Sequence, residues 1–334
     1  MIFITNVPSF YKIFLYNEIN KKRDVYVLFN GKDKCERNSD FSAAVAEFKF
    51  DSLAKMSFGA KLKFLIRLIK GREEVVIGGW DHWFNWIAAF LSPRRKNSVV
   101  VESSYLESTA AGIKGVLKRI FLSRISKAYC SGQSNVKLMY NLGFNGTVTV
   151  TGGVGVYRRQ GCPVFTEKKI PVKNFLYVGR LASEKNLNFL IKLFNALPEY
   201  TLNIVGFGNQ EEELKAIAAE NIKFLGAVPN AELSEIYKKN DVFILFSKSE
   251  PWGLVIEEAM NNGLPVIVSD HVGCAEAIVK NGENGFIVPL DDSEALKQKI
   301  FEISDLAVYN RLRKNVCSID FVEIERKQIE CYLK

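Results

Sequence analysis

The 334-residue sequence is poor in the residue types that hold metals or cross-link chains. It contains only two histidines, and its six cysteines are scattered without a Cys-x-x-Cys pair or a zinc-ligand spacing. In a chain of this length, such cysteines are typical of reduced thiols in a reducing compartment. The cysteines therefore predict no zinc site.

Long apolar runs are also absent. The longest, such as WIAAFL at 86–91, are far shorter than the roughly 20 residues that span a bilayer. The N-terminal MIFIT leads directly into the polar Asn6 and lacks a basic start, so it does not resemble a signal peptide. We therefore expect a cytoplasmic protein.

Basic residues are in excess, with a formal net charge of +8. This excess favours an anionic partner, which could be a phosphate group, a nucleic acid or an acidic membrane. Aromatic residues are not interleaved with the basic runs as a base-stacking platform requires, so we expect no nucleic-acid partner.

Short strands alternate with helices along the chain. Strands are predicted at 1–5, 24–29, 74–79, 98–103, 127–131, 147–152, 174–179, 201–206, 221–226, 241–247, 264–270 and 284–290, with helices at 10–22, 58–70, 82–91, 113–124, 132–142, 186–197, 210–220, 231–239, 253–262 and 293–304. Apolar strands that each precede a helix are typical of parallel sheets covered on both faces. With 48% apolar residues, the chain can bury a large core, and its length suggests two domains. We predict an α/β protein with doubly wound domains at 1–160 and 161–310, and a helical tail at 311–334 that returns to the first domain.

Ligands of open parallel sheets bind at the carboxyl ends of the strands, so the residues after each strand carry the chemistry. The segment GRLASEKN places Arg180 and Lys185 after one strand, and this pair of cations suits a diphosphate, although a surface loop with ordinary charges is an equal alternative. Gly206 and Gly208 follow the next strand, but Glu211 stands where a dinucleotide fingerprint needs a third glycine. A tight strand-to-helix turn is the simpler interpretation of these glycines.

The stretch SEPWGLVIEEAM at 249–260 follows a further strand and opens a helix. Pro251 fixes the backbone, Gly253 permits close approach, and the first free amides of the helix, at Leu254 and Val255, form a natural seat for an anion.

Two adjacent glutamates follow in the same helix. Both glutamates could simply interact with the positive end of the helix dipole. Helical spacing, however, places Glu258 on the face of Leu254 and Val255, which we expect the sheet to bury. A buried carboxylate there needs donors, such as sugar hydroxyls, and Glu250 could reach a second sugar nearby.

Together these motifs resemble family 4 glycosyltransferases of the GT-B fold. GRLASEKN, VGFGNQEEEL, the segment from FLGAVPN to LPVIVSD, and GENGFIVPL occur in the family's order and spacing between about 172 and 300. The resemblance implies two Rossmann-like domains facing each other across a cleft. It also implies a retaining, metal-independent enzyme that transfers a sugar from a UDP- or GDP-sugar to a glycan or lipid-linked acceptor, in surface polysaccharide or lipopolysaccharide-type assembly.

The resemblance also implies roles for individual residues. Arg180 and Lys185 would bind the diphosphate, Glu250 would face the donor sugar, and Glu258 would bind the ribose. The remaining implied donor contacts are Gly179, Gly206, Ala227, Val228, Gly253, Leu254 and Val255, with 227–228 lying against the base. The absence of an Asp-x-Asp motif agrees with a metal-free site, in which protein cations and amides stabilise the leaving diphosphate.

The first half matches the family mainly in its layout, and we expect it to bind the acceptor. TNVPSFYKIF replaces the Gly-Gly loop that the family often has after its first strand, which leaves Asn6, Ser9, Tyr11 and Lys12 as candidates by position. His82 stands where the family often has a histidine near the donor sugar, although a structural pair with Asp81 is equally plausible. Glu102 is a further candidate at a strand end.

A second departure from the family follows the strand at 264–270. Here His271 precedes VGCAEAI, in which Cys274 replaces the second of two glycines, while Glu276 keeps its place. The substitution puts the shape of this loop in question.

Two basic segments, 58–72 and 114–127, have an amphipathic pattern. In the first, Phe58, Leu62, Leu65, Ile66 and Ile69 share one helical face, and Lys61, Lys63, Arg67, Lys70 and Arg72 mostly occupy the other. A core helix with a solvated basic face explains this pattern, and so does a helix that lies on an anionic membrane. The second interpretation predicts peripheral attachment at the inner face of the cytoplasmic membrane.

Other classes of protein stay open at this point. A nucleotide-sugar epimerase, a sugar phosphorylase or a non-catalytic glycan-assembly or scaffold protein could share the two-domain architecture. An NAD-dependent oxidoreductase is disfavoured because the glycine fingerprint is incomplete.

Overall fold

The computed structural model describes residues 1–31, 45–53, 56–156 and 162–334. Within them the chain divides into two compact units, the first formed by Met1–Arg158 with Val322–Lys334 and the second by Arg159–Phe321. The predicted domain boundary, after residue 160, lies outside the described residues, and so does Cys35. The five described cysteines are all free thiols.

Unit 1 is built on a seven-stranded parallel sheet in the order β3-β2-β1-β4-β5-β6-β7. Its strands are β1 (Ile2–Thr5), β2 (Tyr26–Phe29), β3 (Lys49–Ser52), β4 (Val75–Ile77), β5 (Asn97–Val101), β6 (Lys127–Cys130) and β7 (Thr147–Val150). Its first five helices are α1 (Phe10–Asn20), α2 (Phe58–Ile69), α3 (Trp83–Leu91), α4 (Gly112–Leu122) and α5 (Gln133–Asn141). The edge strand β3, KFDS, was missed from the sequence because it is polar and mostly exposed.

The helices of unit 1 cover both faces of this sheet. Helices α2 to α5 pack on one face over a core that includes Leu65, Phe84, Phe121 and Met139. Helix α1 packs on the other face, where Tyr16 lies against Phe3. The sheet is therefore doubly wound, as predicted.

Unit 2 repeats this plan with six parallel strands in the order β10-β9-β8-β11-β12-β13. The strands are β8 (Asn174–Val178), β9 (Thr201–Val205), β10 (Ile222–Gly226), β11 (Val242–Leu245), β12 (Val266–Ser269) and β13 (Gly285–Val288). The helices are α6 (Leu187–Asn195), α7 (Glu211–Ile217), α8 (Asn230–Lys238), α9 (Leu254–Asn261), α10 (Ala275–Ile278), α11 (Ser293–Ser304) and α12 (Leu306–Cys317). Strands β11 and β12 are fully buried, as expected for central strands of a parallel sheet.

The end of unit 2 corrects the bounds of the predicted tail. The tail was expected to begin at 311, but α12 buries Tyr309, Leu312 and Val316 and belongs to unit 2. The side chain of Asn310 exchanges two hydrogen bonds with the backbone of Lys168, of 2.8 and 3.0 Å, which fixes α12 to the start of this unit. Of the predicted tail, only residues 322–334 lie in unit 1.

The final helix, α13 (Phe321–Cys331), leads into a buried aromatic contact in unit 1. The ring of Tyr332 stacks on Tyr129 with centroids 4.4 Å apart and also contacts Phe3. The Tyr129 hydroxyl in turn donates a 2.9 Å hydrogen bond to Glu74. The last residues of the chain are thus part of the core of unit 1.

Because Tyr332 is almost fully buried, Tyr332→Ala is expected to lower the free energy of unfolding of unit 1 by about 3–5 kcal/mol. Urea unfolding followed by tyrosine and tryptophan fluorescence measures this loss. Tyr140→Ala is the matched control, since Tyr140 is exposed and should cost little. Equal stability of the two variants would contradict the packing role of the tail.

Candidate functional site

The candidate site lies within unit 2, where the loops that follow β8, β9, β11 and β12 meet at one edge of the sheet. Two glycines bring the first two of these loops together. A Cβ atom on Gly206 would lie 1.9 Å from the carbonyl oxygen of Gly179, and one on Gly208 would lie 2.4 Å from that of Leu181. These glycines are therefore required for backbone packing, which agrees with the tight turn inferred from the sequence.

The loop after β8 holds Lys185 in a nearly buried position. A short 3-10 turn at Ser183–Lys185 ends at Asn186, which adopts a left-handed conformation with φ 59° and starts α6. Asparagine tolerates this conformation better than most residues, which explains its position after the lysine. The amide of Lys248 donates a 2.8 Å hydrogen bond to the carbonyl of Glu184 and joins this loop to the one after β11.

The structure brings two of the predicted site residues into direct contact. The ammonium group of Lys185 forms an ion pair with the carboxylate of Glu250, and both side chains are largely shielded from solvent. Removing one partner of such a pair leaves an uncompensated charge, which is strongly destabilising. The pair thus fixes the position of both groups at this edge of the sheet.

Arg180 has a different partner and a different environment. Its guanidinium forms a 2.7 Å ion pair with Glu184, and about half of its side chain is exposed. Its carbonyl accepts a 2.7 Å hydrogen bond from the buried hydroxyl of Tyr177, which holds the backbone of the loop. The backbone at Arg180 is therefore anchored, while its charged group lies at the surface of the site.

Helix α9 begins at this edge, directly after Gly253. This residue has φ 97°, a left-handed conformation that favours glycine, and it is the N-cap of the helix. The first amides, at Leu254 and Val255, have no acceptor among the residues that the structure describes. They are free to bind an anion, and the helix dipole adds to their attraction.

The two adjacent glutamates of α9 differ sharply. Glu257 is buried and accepts a 2.6 Å hydrogen bond from the indole of Trp252, so it holds the Pro-Trp-Gly turn in place. Glu258 shares a half-buried face with Leu254 and Val255. The expectation that the sheet buries this face was wrong, because Ile256 and Glu257 point into the core instead.

Glu258 has one protein partner that sequence reasoning missed. Its Oε2 accepts a 3.2 Å hydrogen bond from the hydroxyl of Tyr237, a fully buried residue of α8. Burial raises the pKa of the Glu258 carboxyl to about 7, although the hydrogen bond from Tyr237 opposes the rise. The sequence signal was a tyrosine on the apolar face of α8, where its hydroxyl needs a partner.

The loop after β12 completes the site and answers the question that Cys274 raised. A Cβ atom on Gly273 would lie 1.9 Å from the carbonyl oxygen of Pro251, so glycine is required there. Cys274 has φ −84°, which any residue adopts, and its amide donates a 2.9 Å hydrogen bond to Trp252. The cysteine is compatible with the loop, while Glu276 is exposed at the start of α10.

The loop after β10 lies beside the same edge. Gly206 donates a 2.8 Å backbone hydrogen bond to Gly226, and Ala227 and Val228 follow directly. Their contact with a base stays a prediction, as do the ligand contacts of every residue in this site.

Unit 1 places its candidates at the carboxyl edge of its own sheet. Lys12 of α1 forms a 2.8 Å ion pair with Glu102. Burial lowers the pKa of the Lys12 ammonium group, but the attraction of the Glu102 carboxylate outweighs burial, so the pKa is raised. Thr5 and Tyr16 line the same small cavity, which encloses about 10 Å³, room for one water molecule. Lys12 and Glu102 were two separate candidates in the sequence, and the structure joins them in one ion pair.

The other candidates of unit 1 have structural surroundings. His82 caps α3, with its Nδ1 accepting a 3.2 Å hydrogen bond from the amide of Phe84, and its ring stacks on Trp83. Ser9 is buried at the start of α1, and the carbonyl of Tyr11 accepts a hydrogen bond from Val156. Asn6 is exposed after β1. A role for any of them in binding a substrate stays a prediction.

Two further features of the described residues concern metals and membranes. No cluster of three or more His, Cys, Asp or Glu side chains in this part of the chain could hold a metal ion. None of its helices is both long enough and apolar enough to pass through a bilayer.

The raised pKa of Glu258 predicts how pH affects stability. The folded-state pKa lies above the ordinary value of 4.5, so the stability that this carboxyl contributes falls as pH rises from about 4.5 to about 7. Glu258→Gln is therefore expected to make the ligand-free protein about 1–3 kcal/mol more stable than wild type near pH 8, with most of the gap closed near pH 5.

Urea unfolding at both pH values measures the gap. Glu276→Gln, at an exposed position, is the control and should show no such pH dependence. A Glu258→Gln variant that is less stable than wild type near pH 8 would show that the ionised Glu258 carboxylate does not destabilise the ligand-free protein.

Known proteins resemble this chain in sequence mainly over unit 2 and in fold over its whole length. Residues 165–316 match the family model of the glycosyl transferases group 1. The sulfoquinovosyl transferase SQD2 of Arabidopsis thaliana is 35% identical over 128 residues, which are 37% of this chain and 25% of that protein. The O-antigen biosynthesis glycosyltransferase WbnH of Escherichia coli is 34% identical over 157 residues, 46% of this chain and 44% of that protein.

The matched segments thus span 25% of the length of SQD2 and 44% of the length of WbnH. Solved structures are similar over the whole chain. The lipopolysaccharide outer core galactosyltransferase WaaB has a TM-score of 0.71 at 17% identity, covering 99% of this chain and 98% of its own. HepE of Anabaena, solved in complex with UDP, has a TM-score of 0.74 at 16% identity, covering 99% of both chains.

These structures establish the fold, and the predicted GT-B class with two Rossmann-like domains is confirmed. The family match falls on unit 2, which contains all the loops of the candidate site. Residues 165–316 of this GT-B chain, all within unit 2, are therefore similar to the glycosyl transferases group 1 family.

Proposed function

We propose that this protein is a retaining, metal-independent glycosyltransferase of family 4, which transfers a sugar from a UDP- or GDP-sugar to a glycan or lipid-linked acceptor. The observation that carries the proposal is the convergence of three groups at one edge of the sheet of unit 2. These are the free amides that begin α9, the Lys185–Glu250 ion pair and the half-buried carboxyl of Glu258.

Each of these groups suits one part of a nucleotide sugar. The amides of Leu254 and Val255 and the cations of Lys185 and Arg180 would bind the diphosphate. The carboxylate of Glu258 would accept hydrogen bonds from the ribose hydroxyls, which would relieve its burial. Glu250 would accept a hydrogen bond from the donor sugar while it holds Lys185 towards the phosphate.

The chemistry that follows is the breaking of the bond between the anomeric carbon and the β-phosphate oxygen. The bonding electrons remain on that oxygen, where the cations and amides stabilise the developing charge. The acceptor hydroxyl forms the new bond from the same face of the sugar and transfers its proton to the leaving phosphate. This front-side route retains the anomeric configuration and uses no protein nucleophile.

The relatives suggest the class of donor and acceptor. HepE was solved with UDP and with UDP-glucose, and the name of WbnH refers to O-antigen assembly. We propose a related place for this chain, in the assembly of a surface polysaccharide or lipopolysaccharide, with the acceptor bound by unit 1. The ion pair of Lys12 and Glu102, at the carboxyl edge of the sheet of unit 1, is the polar group that we propose for this role.

The glycine arrangement argues against an NAD-dependent enzyme. In a dinucleotide fingerprint, the space beside the glycines is taken by the pyrophosphate. In this chain, backbone atoms of Gly179 and Leu181 occupy the space beside Gly206 and Gly208. An epimerase or phosphorylase of the same architecture would use the same donor site, and its products would distinguish it.

Glu258→Gln is expected to weaken binding of the cognate nucleoside diphosphate by about 10- to 100-fold, because hydrogen bonds to a charged acceptor contribute about 1.5–3 kcal/mol. Isothermal titration with UDP, GDP, ADP and NAD measures it. Wild-type affinity should also rise through about pH 7 as the carboxylate ionises, and the variant should lack that part of the rise.

Glu257→Gln is the matched control, since the Gln side-chain oxygen can still accept from the Trp252 indole and the affinity should stay nearly intact. Equal loss in the two variants would contradict the ribose role of Glu258. Binding of NAD alone would favour an oxidoreductase, and binding of none of the four would favour a scaffold.

Arg180→Ala is expected to slow turnover about a hundredfold at saturating donor, because it removes a cation aimed at the leaving diphosphate. The measurement is the rate at which nucleoside diphosphate is released from the sugar nucleotide. Lys192→Ala, at an exposed position of α6, is the control. An unchanged rate would remove Arg180 from the mechanism.

A further inference from the structure

Helix α4 of unit 1 buries a lysine beside its apolar core residues Phe121 and Leu122. Lys118 is buried, and its ammonium group donates hydrogen bonds of 2.6 Å to the Ser108 hydroxyl and 2.7 Å to the Thr109 carbonyl. The same group lies 5.7 Å from the centre of the Trp80 ring, and burial lowers its pKa. A Cβ atom on Gly115 would lie 2.0 Å from the carbonyl oxygen of Ala110, which shows how closely this side of the helix is held.

The opposite side of α4 is therefore apolar and exposed. Ile113, Val116, Leu117 and Ile120 follow the spacing of a single helical stripe, and all four point away from the core. Ile113 is 81% exposed. This stripe has no partner within the part of the chain that the structure describes.

The neighbouring helices extend this apolar surface. Phe58 of α2 stacks on Trp83 of α3 with centroids 5.7 Å apart, and Trp86 of α3 packs on Phe121 of α4 at 5.3 Å. The three helices thus form one layer on the same face of the sheet. The layer is a small part of the chain, but it contains nine of the nineteen exposed large apolar side chains in the described residues. These nine are Phe58, Ile66, Trp83, Phe90, Leu91, Ile113, Val116, Leu117 and Ile120.

The layer carries charge of one sign only. Helices α2, α3 and α4 contain no Asp or Glu, while α2 and α4 contain six Lys or Arg residues, among them the exposed Lys63, Arg67 and Lys114. Apolar side chains flanked by cations are the pattern of helices that lie in the interface of an anionic bilayer. A second copy is less suitable, because a symmetric interface would bring the same positive charges face to face.

We propose that the outer surface of helices α2, α3 and α4 docks on an anionic lipid bilayer, with the α4 stripe entering the interface and the flanking cations contacting lipid phosphates. The surface is more specific than the basic segments of the sequence suggested. Leu65 and Ile69 of α2 are buried in the core, and the exposed apolar side chains come largely from α3 and α4. The proposal does not depend on the proposed function, since binding to lipid requires no sugar transfer.

Flotation of the full chain with vesicles tests this surface directly. The vesicles contain equal parts of phosphatidylglycerol and phosphatidylcholine, or phosphatidylcholine alone. Wild type should float with the anionic vesicles, and less so at high salt. Neutralising Lys63, Arg67 and Lys114 to Gln should lower the partition coefficient about a hundredfold, since each cation near an anionic surface contributes about fivefold.

The apolar contribution is tested by Ile113→Ser combined with Leu117→Ser, which should lower partitioning about tenfold or more. Two control variants carry matched changes at exposed positions of unit 2: Lys192, Lys223 and Lys239 to Gln, and Val164 with Phe301 to Ser. Unchanged midpoints of thermal unfolding show that the variants are folded.

Three results would overturn the proposal. The first is failure of wild type to float with the anionic vesicles, and the second is an equal loss of flotation in the control variants. The third is a dimer, detected by light scattering in a protein that does not bind vesicles, which the combined Ile113→Ser and Leu117→Ser variant dissociates. The last result would assign the surface to self-association. Loss of flotation only in the α4 and cation variants would support it, whether or not the enzyme assay succeeds.

Discussion

Close contact between the loops at the carboxyl edge of the six-stranded sheet is the constraint on which the candidate site depends. Gly206 and Gly208 let one loop lie against another backbone to backbone, and Gly273 does the same for the loop that contains Pro251. No side chain fits at these three positions. Because the loops are fixed in this way, Lys185 meets a carboxylate that lies 65 positions further along the chain. The glycines thus act through packing, and the charged groups depend on them.

The site combines stabilised and destabilised groups. The Lys185–Glu250 pair and the bond from Trp252 to Glu257 satisfy their charges and polar atoms within the protein. Glu258 is only partly satisfied, since among the described residues a single hydroxyl donates a hydrogen bond to it, and burial raises its pKa. A carboxyl in this state gains more from a ligand that offers hydroxyls than a well-solvated carboxyl would. The contrast between Glu257 and Glu258 follows from the direction of each side chain on one helix.

The sequence predicted most of the fold, because buried parallel strands are marked by continuous apolar residues. It failed at β3, whose KFDS segment is polar and lies at the sheet edge, and at α12, which continues unit 2 beyond residue 310. It located the loops of the site, since these follow strands. It could not predict which charges pair, because Lys185 and Glu250 meet only through the fold. Tyr237 was missed for the same reason.

Helix α4 shows most clearly where periodicity is insufficient. An amphipathic pattern normally predicts that the apolar stripe faces the core and that lysines face water. Here the core side combines the apolar Phe121 and Leu122 with Gly115, which permits close approach, and Lys118. The ammonium group of Lys118 is satisfied by two hydrogen bonds and an aromatic ring. Burying a lysine in this way is costly unless its donors are met, as they are. The rotation of the helix therefore follows from polar contacts, and it leaves an apolar stripe outside that the hydrophobic pattern alone would have assigned to the core.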